Sequence, residues 1–300
     1  MPQPENRRGL PLLHLLLALA VVAVWGTNFV IIKQALIRLP PLLLGTLRFV
    51  FAVLPAIFFL PRPAVPWRQL AAYGVLIGAG QFGLLFIAMR ADITPGLASL
   101  VVQTQVFFTI GLSMAIHRER LRGFQWLALA LAAAGLGIIA MHTDAHTTLL
   151  GLALVLTAAM CWATGNLVAK AAGPVNMLAY VVWASLFSVP PLLVLSLLVE
   201  GPALIVHSLQ HADLAAWAAV LWQSVGNTLF GYVAWAWLLA RHPAATVSPM
   251  ALLVPLFGMG ASALVLGEPM QPWKLGAAAL VMGGLALNLL GPRLIQQARP

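Results

Sequence analysis

The sequence predicts an all-α integral membrane protein with ten transmembrane helices, arranged as a 5+5 inverted-topology repeat. Three observations carry this. Of 300 residues, 62% are hydrophobic and only 8% charged, with mean hydropathy +0.97, whereas a soluble domain carries roughly 25% charged residues. The apolar residues gather into runs long enough to cross a bilayer. Stretches of the first half also recur in the second at fixed offsets.

A helix needs about 20 apolar residues to span the hydrocarbon core. Ten runs qualify, at roughly 11–32, 41–60, 69–90, 95–116, 123–141, 147–170, 177–199, 214–240, 243–266 and 271–291. Pro41, Pro95, Pro243 and Pro272 stand near helix starts, where proline is well tolerated. The connections are short and leave no room for an appended soluble domain. No cleavable leader is expected. The single Cys161 excludes an internal disulfide pair and a thiolate metal cluster.

The formal charge of +9 lies in loops rather than on one face or tail, so membrane boundaries explain it better than nucleic acid does. With the N-terminus in the cytoplasm, the inside segments hold Arg7, Arg8, Arg62, Arg68, Arg118, Arg120, Arg122, Lys170, Arg241, Arg293 and Arg299. The outside segments hold Lys33, Arg38, Arg90 and Lys274. Eleven against four sets both termini inside by the positive-inside rule. The longest outside connection, 200–213, reads as a loop.

The repetition appears in two registers. At an offset of 137, Trp25, Thr27 and Lys33 fall on Trp162, Thr164 and Lys170. At an offset of 149, Ser99, Phe108, Glu119 and Gly135 fall on Ser248, Phe257, Glu268 and Gly284. Mid-span Pro55 answers Pro190 and Pro191. Five spans is an odd number, so the second copy enters the membrane from the opposite side. The expected units are a tail 1–10, halves 11–141 and 147–291, and a tail 292–300, with both tails cytoplasmic. Such a plan places a site between the halves near the midplane.

The motifs "VWGTNFVIIK" (24–33), "TLRF" (46–49), "PGLASLVVQTQVFFTI" and "LLVPLFG", with a Glu after spans 4 and 9 ahead of a Gly-rich span, resemble the EamA family of the drug/metabolite transporter superfamily. The resemblance covers the whole chain, and is closest to members that export O-acetylserine and cysteine. It implies a secondary exporter of small amino acids or their metabolites in a bacterial inner membrane. One departure is local. The second copy reads "WATGN", so Asn166 follows its Trp one residue later than Asn28 does.

All seven carboxylates (Glu5, Asp92, Glu119, Asp144, Glu200, Asp213, Glu268) lie outside the hydrophobic middles. A membrane-embedded acid is the usual proton carrier, and a cationic-drug carrier also needs one as counter-charge. Glu119 and Glu268 read as boundary anchors. Arg48 is the one clear charge inside a span. It serves either as a fixed charge for a substrate carboxylate or as a structural residue snorkelling outward. Its counterpart in span 7 is Trp183.

Lys33 and Lys170 lie at opposite faces, as mouth residues or as interface anchors. Asn28, Asn166, Gln81, Gln103, Gln105, Gln223 and Asn227 must face protein or a wet cavity. Gln103 and Gln105 cannot share an α-helical face, so one of them is expected on the path. Trp25, Trp162, Trp183, Tyr232 and Trp235 lie deep among these amides, while Trp67, Trp126, Trp217 and Trp273 belong to the interface belt. An aromatic-walled cavity with a few amides suits a small zwitterionic amino acid or metabolite, although core packing also explains each aromatic. Glycines 74, 78, 80 and 83 in span 3 and 276, 283 and 284 in span 10 are expected at close helix contacts.

The candidate substrate-binding set is therefore Trp25, Asn28, Arg48, Gln81, Gln103, Trp162, Asn166, Trp183, Asn227 and Tyr232, with Lys33 and Lys170 at the mouths. No cofactor or nucleotide motif is implied, and one chain suffices for a pathway. The alternatives are export of another metabolite or drug class, a lipid scramblase, or a membrane enzyme. The last lacks HExxH, GxSxG or a paired acid, and Cys161 reads as a small buried apolar residue.

Overall fold

The computed structural model describes residues 10–117, 123–242 and 244–297, without the side chains of 116, 117, 240, 244, 245 and 292–297. Arg7, Arg8, Glu5, Arg118, Glu119, Arg120, Arg122, Pro243 and Arg299 lie outside the described residues, as does the Arg293 side chain. Among the described residues there is no strand.

Nine helices among the described residues are long and apolar enough to cross a membrane: Leu12–Ala35, Pro41–Phe58, Trp67–Ala91, Pro95–Ala115, Gly123–Met141, Leu149–Lys170, Met177–Glu200, Ser248–Leu266 and Pro272–Gly291. The bent pair Pro202–Gln210 and Leu214–Leu239 supplies the tenth. Numbered in chain order, these are spans 1 to 10, with Leu214–Leu239 as span 8. The expected loop 200–213 is thus corrected: Pro202–Gln210 is a helix, set at 105° to span 8. Its length falls short of a span, and Leu204 and Val206 remain exposed on it.

Ten spans bring the start of span 1 and the end of span 10 to one face, called here the terminal face; the opposite face is distal. His14 Nδ1 and His242 Nε2 meet at 2.7 Å on the terminal face. Span 1 packs on span 9 and span 6 on span 4; span 1 also packs on span 8 and span 6 on span 3. Each pairing is the mirror of the other under exchange of halves.

Spans 5 and 10 show the same exchange at atomic detail. A Cβ on Gly135 would lie 2.9 Å from the Ala277 carbonyl oxygen, and one on Gly284 would lie 2.5 Å from that of Ala128. Ala128 and Ala277 stand at the same offset of 149 as the two glycines. In lipid, helices associate by close packing of small residues rather than by the hydrophobic effect. Gly74 and Gly78 likewise leave no room beside Ala184 and Ser188 of span 7, and Gly80 none beside Cys161. Gly276 and Gly283 differ from expectation, since each faces open space.

The helices also depart from α geometry in mirrored places. The third span of each half is π-helical in its middle, at Leu76–Gly83 and Trp222–Phe230. The fourth span of each half contains a 3-10 turn, at Val102–Thr104 and Ser248–Leu252. Such irregular turns rotate the following side chains and often mark functional positions.

Gly135→Ala and Gly284→Ala are each expected to destabilise the protein by the ~1–3 kcal/mol typical of overpacking, seen as a lower melting temperature. Gly276→Ala and Gly283→Ala are expected to leave it unchanged. Thermal unfolding of the four variants checks the mirrored contact.

Candidate functional site

A cavity of about 310 Å³ lies where the halves meet. Spans 1, 2, 3, 4, 6, 8, 9 and 10 all contribute lining residues. At its distal end the lining is buried, with Ile32 1%, Leu85 2%, Val102 2% and Gln81 4% exposed. Toward the terminal face, Trp25, Gln105, Trp162, Asn166, Tyr232, Trp235 and Ser248 are half-buried. The cavity therefore opens to the terminal face and ends blindly on the distal side.

Arg48 stands at the blind end. Its side chain does not snorkel outward: the residue is 1% exposed, and span 8 grips it. Nη1 donates to Gln223 Oε1 at 2.5 Å and Nη2 to Thr228 Oγ1 at 3.0 Å. Asn227, with its carboxamide oxygen toward the guanidinium, accepts from Nη1 and Nη2 at 3.2 and 2.9 Å. The Phe82 ring supports the cation from one side, its centroid 3.7 Å from Cζ.

The π-helical turn explains this grip. The Thr228 hydroxyl Oγ1 donates to the Gln223 backbone carbonyl five residues earlier at 2.9 Å. An α-helix would point residues five apart in different directions, whereas π winding stacks them on one face. Asn28 completes the network from span 1. Its Nδ2 donates to Gln223 Oε1 at 3.3 Å, and Gln223 Nε2 donates to Asn28 Oδ1 at 2.8 Å.

The aromatic wall stands nearer the opening. Trp25 packs on Trp235 and Tyr232 at 5.3 and 6.1 Å between centroids, and its Nε1 donates to the Asn227 carbonyl at 3.2 Å. Trp162, its partner in the repeat, also lines the cavity. Gln103 and Gln105 both line it, against the expectation of one. The 3-10 turn between them breaks the α register on which that expectation rested. Asn166 Nδ2 donates to Gln105 Oε1 at 3.0 Å. So Asn28 turns to span 8 and Asn166 to span 4, and the one-residue offset between them is a real asymmetry.

Trp183 does not join this group. Its Nε1 donates to the Leu60 carbonyl at 3.0 Å beside Trp67, at the terminal face. Lys33 and Lys170 also lie off the cavity, at opposite faces. Lys170 is exposed. Lys33 Nζ donates to the Met89 and Arg90 carbonyls at 2.9 and 3.0 Å, closing the C-terminal end of span 3. Thr228 and Phe82 went unremarked in the sequence. The five-residue spacing of Gln223 and Thr228 within an apolar span is the signal that could have found Thr228.

The distal face is sealed by acids at helix starts, where unpaired N–H groups and the helix dipole favour negative charge. Glu200 accepts from the Leu42 and Leu43 N–H groups of span 2 at 2.6 and 3.0 Å. Asp213 caps span 8 through Ala216 N–H at 2.8 Å and pairs with Arg38 at 2.6 Å. The Ala216 N–H, and then Arg38, hold its carboxyl below the ordinary value.

Glu268 makes the tightest seal. Gly267, at φ +66°, ends span 9 in the left-handed region and turns the chain back. Glu268 then accepts from Thr94 Oγ1 at 2.5 Å, Gly96 N–H at 3.1 Å, Lys274 Nζ at 2.9 Å and the Ser262 hydroxyl. Burial pushes its carboxyl up, but the hydrogen bonds from Ser262, Thr94 and Lys274 outweigh this and hold it below the ordinary value.

Residues 12–141 and 149–290 each match the EamA-like transporter family. This chain belongs to that family. Two curated relatives, from Salmonella typhimurium and Escherichia coli K12, are each named "Probable amino-acid metabolite efflux pump". The first is 41% identical over 94% of this chain and 97% of its own length. The second is 40% identical over 92% and 95%. A solved crystal structure at 18% identity superposes with a TM-score of 0.63, covering 94% of this chain and 98% of that one, and shows the shared fold. The two matched segments coincide with the two five-helix halves, so this is a multi-pass membrane transporter built as a duplicated unit.

In this EamA-like fold the Glu268 carboxylate ties spans 9 and 10 to the start of span 4. Removing one partner of a buried ion pair costs about 3–5 kcal/mol. Glu268→Gln is expected to lower the melting temperature near neutrality. The folded carboxyl sits below its unfolded value, so its contribution is present above the unfolded pKa and is lost as pH falls through the folded one. Melting measured on acidification should therefore fall in wild type and fall less steeply in Glu268→Gln.

Proposed function

We propose that this chain is a secondary exporter of small amino-acid metabolites of the cysteine and O-acetylserine kind. It resides in a bacterial inner membrane, with both termini and the tails 1–10 and 292–300 in the cytoplasm. The observation that carries this reading is the cavity between inverted halves, open to the terminal face and ending at Arg48. The excess of Lys and Arg on the terminal face favours that face as cytoplasmic. The names of the two relatives at about 40% identity support the substrate class.

In this reading a zwitterion enters from the cytoplasm past Trp25, Trp162, Tyr232 and Trp235. Its carboxylate moves toward Arg48, for which a guanidinium fork is well shaped. The amides Asn28, Gln81, Gln103, Asn166 and Asn227 supply neutral hydrogen-bonding partners. The halves, residues 11–141 and 147–291, then rock so that the distal seal opens while the terminal opening closes. Lys33 belongs to the distal closure and Lys170 to the terminal mouth.

Proteoliposomes loaded with labelled cysteine, O-acetylserine, threonine and a bulky aromatic amino acid test this. Wild type is expected to release the small solutes selectively. Arg48→Ala should slow release by more than about tenfold, since it removes a buried charge partner, and Asn28→Ala should slow it less. A wild type that moves none of these amino acids contradicts the substrate class.

A further inference from the structure

Gln223 is wholly buried and does not line the cavity. It nevertheless determines what the cavity presents, because its amide oxygen is the nearest hydrogen-bond partner of the buried Arg48 guanidinium. The reciprocal pair with Asn28 fixes its orientation. With Gln223 Nε2 donating to Asn28 Oδ1, only Oε1 is left to face Arg48.

The partners that hold Arg48 are all neutral. Gln223, Thr228 and Asn227 offer oxygens, Phe82 offers a ring face, and no carboxylate among the described residues touches the guanidinium. Elsewhere the chain handles a buried cation differently. Lys274, 5% exposed, is paired with Glu268. Glu has nearly the shape of Gln, so an amide at 223 is a choice of charge rather than of volume. Hydrogen bonding of Arg48 is largely met, but its charge is not.

In a cavity walled by low-dielectric protein, an uncompensated charge acts strongly on whatever enters. Resting on the amino-acid reading above, we infer that Gln223 sets the charge selectivity of the site. By staying neutral it leaves the Arg48 charge to be met by a carboxylate on the cargo, so solutes with an anionic group are accepted and their decarboxylated amines rejected. Gln223 is a positioning residue here, acting through Arg48.

The test is equilibrium binding to purified protein, read from cavity tryptophan fluorescence, with two ligand pairs that differ only in the carboxylate. These are cysteine against cysteamine, and O-acetylserine against O-acetylethanolamine. Wild type is expected to prefer the carboxylated member by about tenfold or more. Gln223→Glu should abolish or invert that preference, and Gln223→Met should weaken binding but keep it. If Gln223→Glu does not fold, Thr228→Asp brings an acid to the other Nη and should have the same effect.

A folded Gln223→Glu protein with the wild-type preference overturns the inference. So does a Gln223→Met protein that loses the preference as completely as Gln223→Glu, or a wild type that binds both members equally. A wild type that binds neither member of either pair contradicts the amino-acid reading instead. The charge assignment is then read on simple carboxylates against matched primary amines, and it fails if Gln223→Glu leaves carboxylate binding intact.

Discussion

Arg48 carries a full positive charge into a membrane span, at a depth where even lenient scales set the cost at a few kcal/mol. Hydrocarbon cannot hydrate it, so protein groups must supply its hydrogen bonds. Span 8 does so with Gln223, Asn227 and Thr228, and span 1 supports span 8 through Asn28. This arrangement requires span 8 to depart from α winding, because only a π-helical turn stacks Gln223 and Thr228 on one face. It also joins the first half of the chain to the second at the blind end of the cavity. The site, the helix irregularity and the contact between halves are thus parts of one structural solution.

The duplicated plan explains why most features appear twice, and the departures from symmetry show where the two faces differ in this state. Both third spans are π-helical, both fourth spans carry a 3-10 turn, and spans 5 and 10 exchange equivalent glycine contacts. The distal face is held by carboxylates on helix N-termini, Glu200 on span 2, Asp213 on span 8 and Glu268 on span 4. Placing acids there keeps them out of the hydrocarbon and leaves the cavity without a counter-charge from the described residues. Asn28 and Asn166 differ in the spans to which they turn. A polar residue that anchors Arg48 in one half therefore has no equivalent duty in the other.

Much of this was legible in the sequence. Span-length apolar runs located the helices to within a few residues, because the bilayer thickness fixes their length. The two offsets revealed the duplication, and Trp25, Trp162, Asn28, Asn227 and Arg48 stood out as polar or aromatic groups that lipid would not accept. What escaped depended on winding and on distant contacts. Reasoning at α pitch put Gln103 and Gln105 on opposite sides, and a 3-10 turn brings both to the cavity. The same assumption hid Thr228. Trp183 aligned with Arg48 on the prolines, but offset alone carries no information on rotation about the helix axis, and the side chain bonds to Leu60 at the terminal face. Glu268 was readable as a boundary residue, but its four partners come from three separate stretches of chain that no local pattern connects.

Access to the cavity from the cytoplasm, through the terminal face, with the distal side sealed, is open to direct measurement. Sided thiol labelling reads it. Ser248, half-buried on the cavity lining near the terminal face, would be replaced by cysteine in a Cys161→Ala background. Right-side-out and inverted membrane vesicles would then be exposed to a membrane-impermeant maleimide. Rapid labelling is expected in inverted vesicles, with protection by saturating O-acetylserine and little reaction in right-side-out vesicles. Labelling confined to right-side-out vesicles would contradict it.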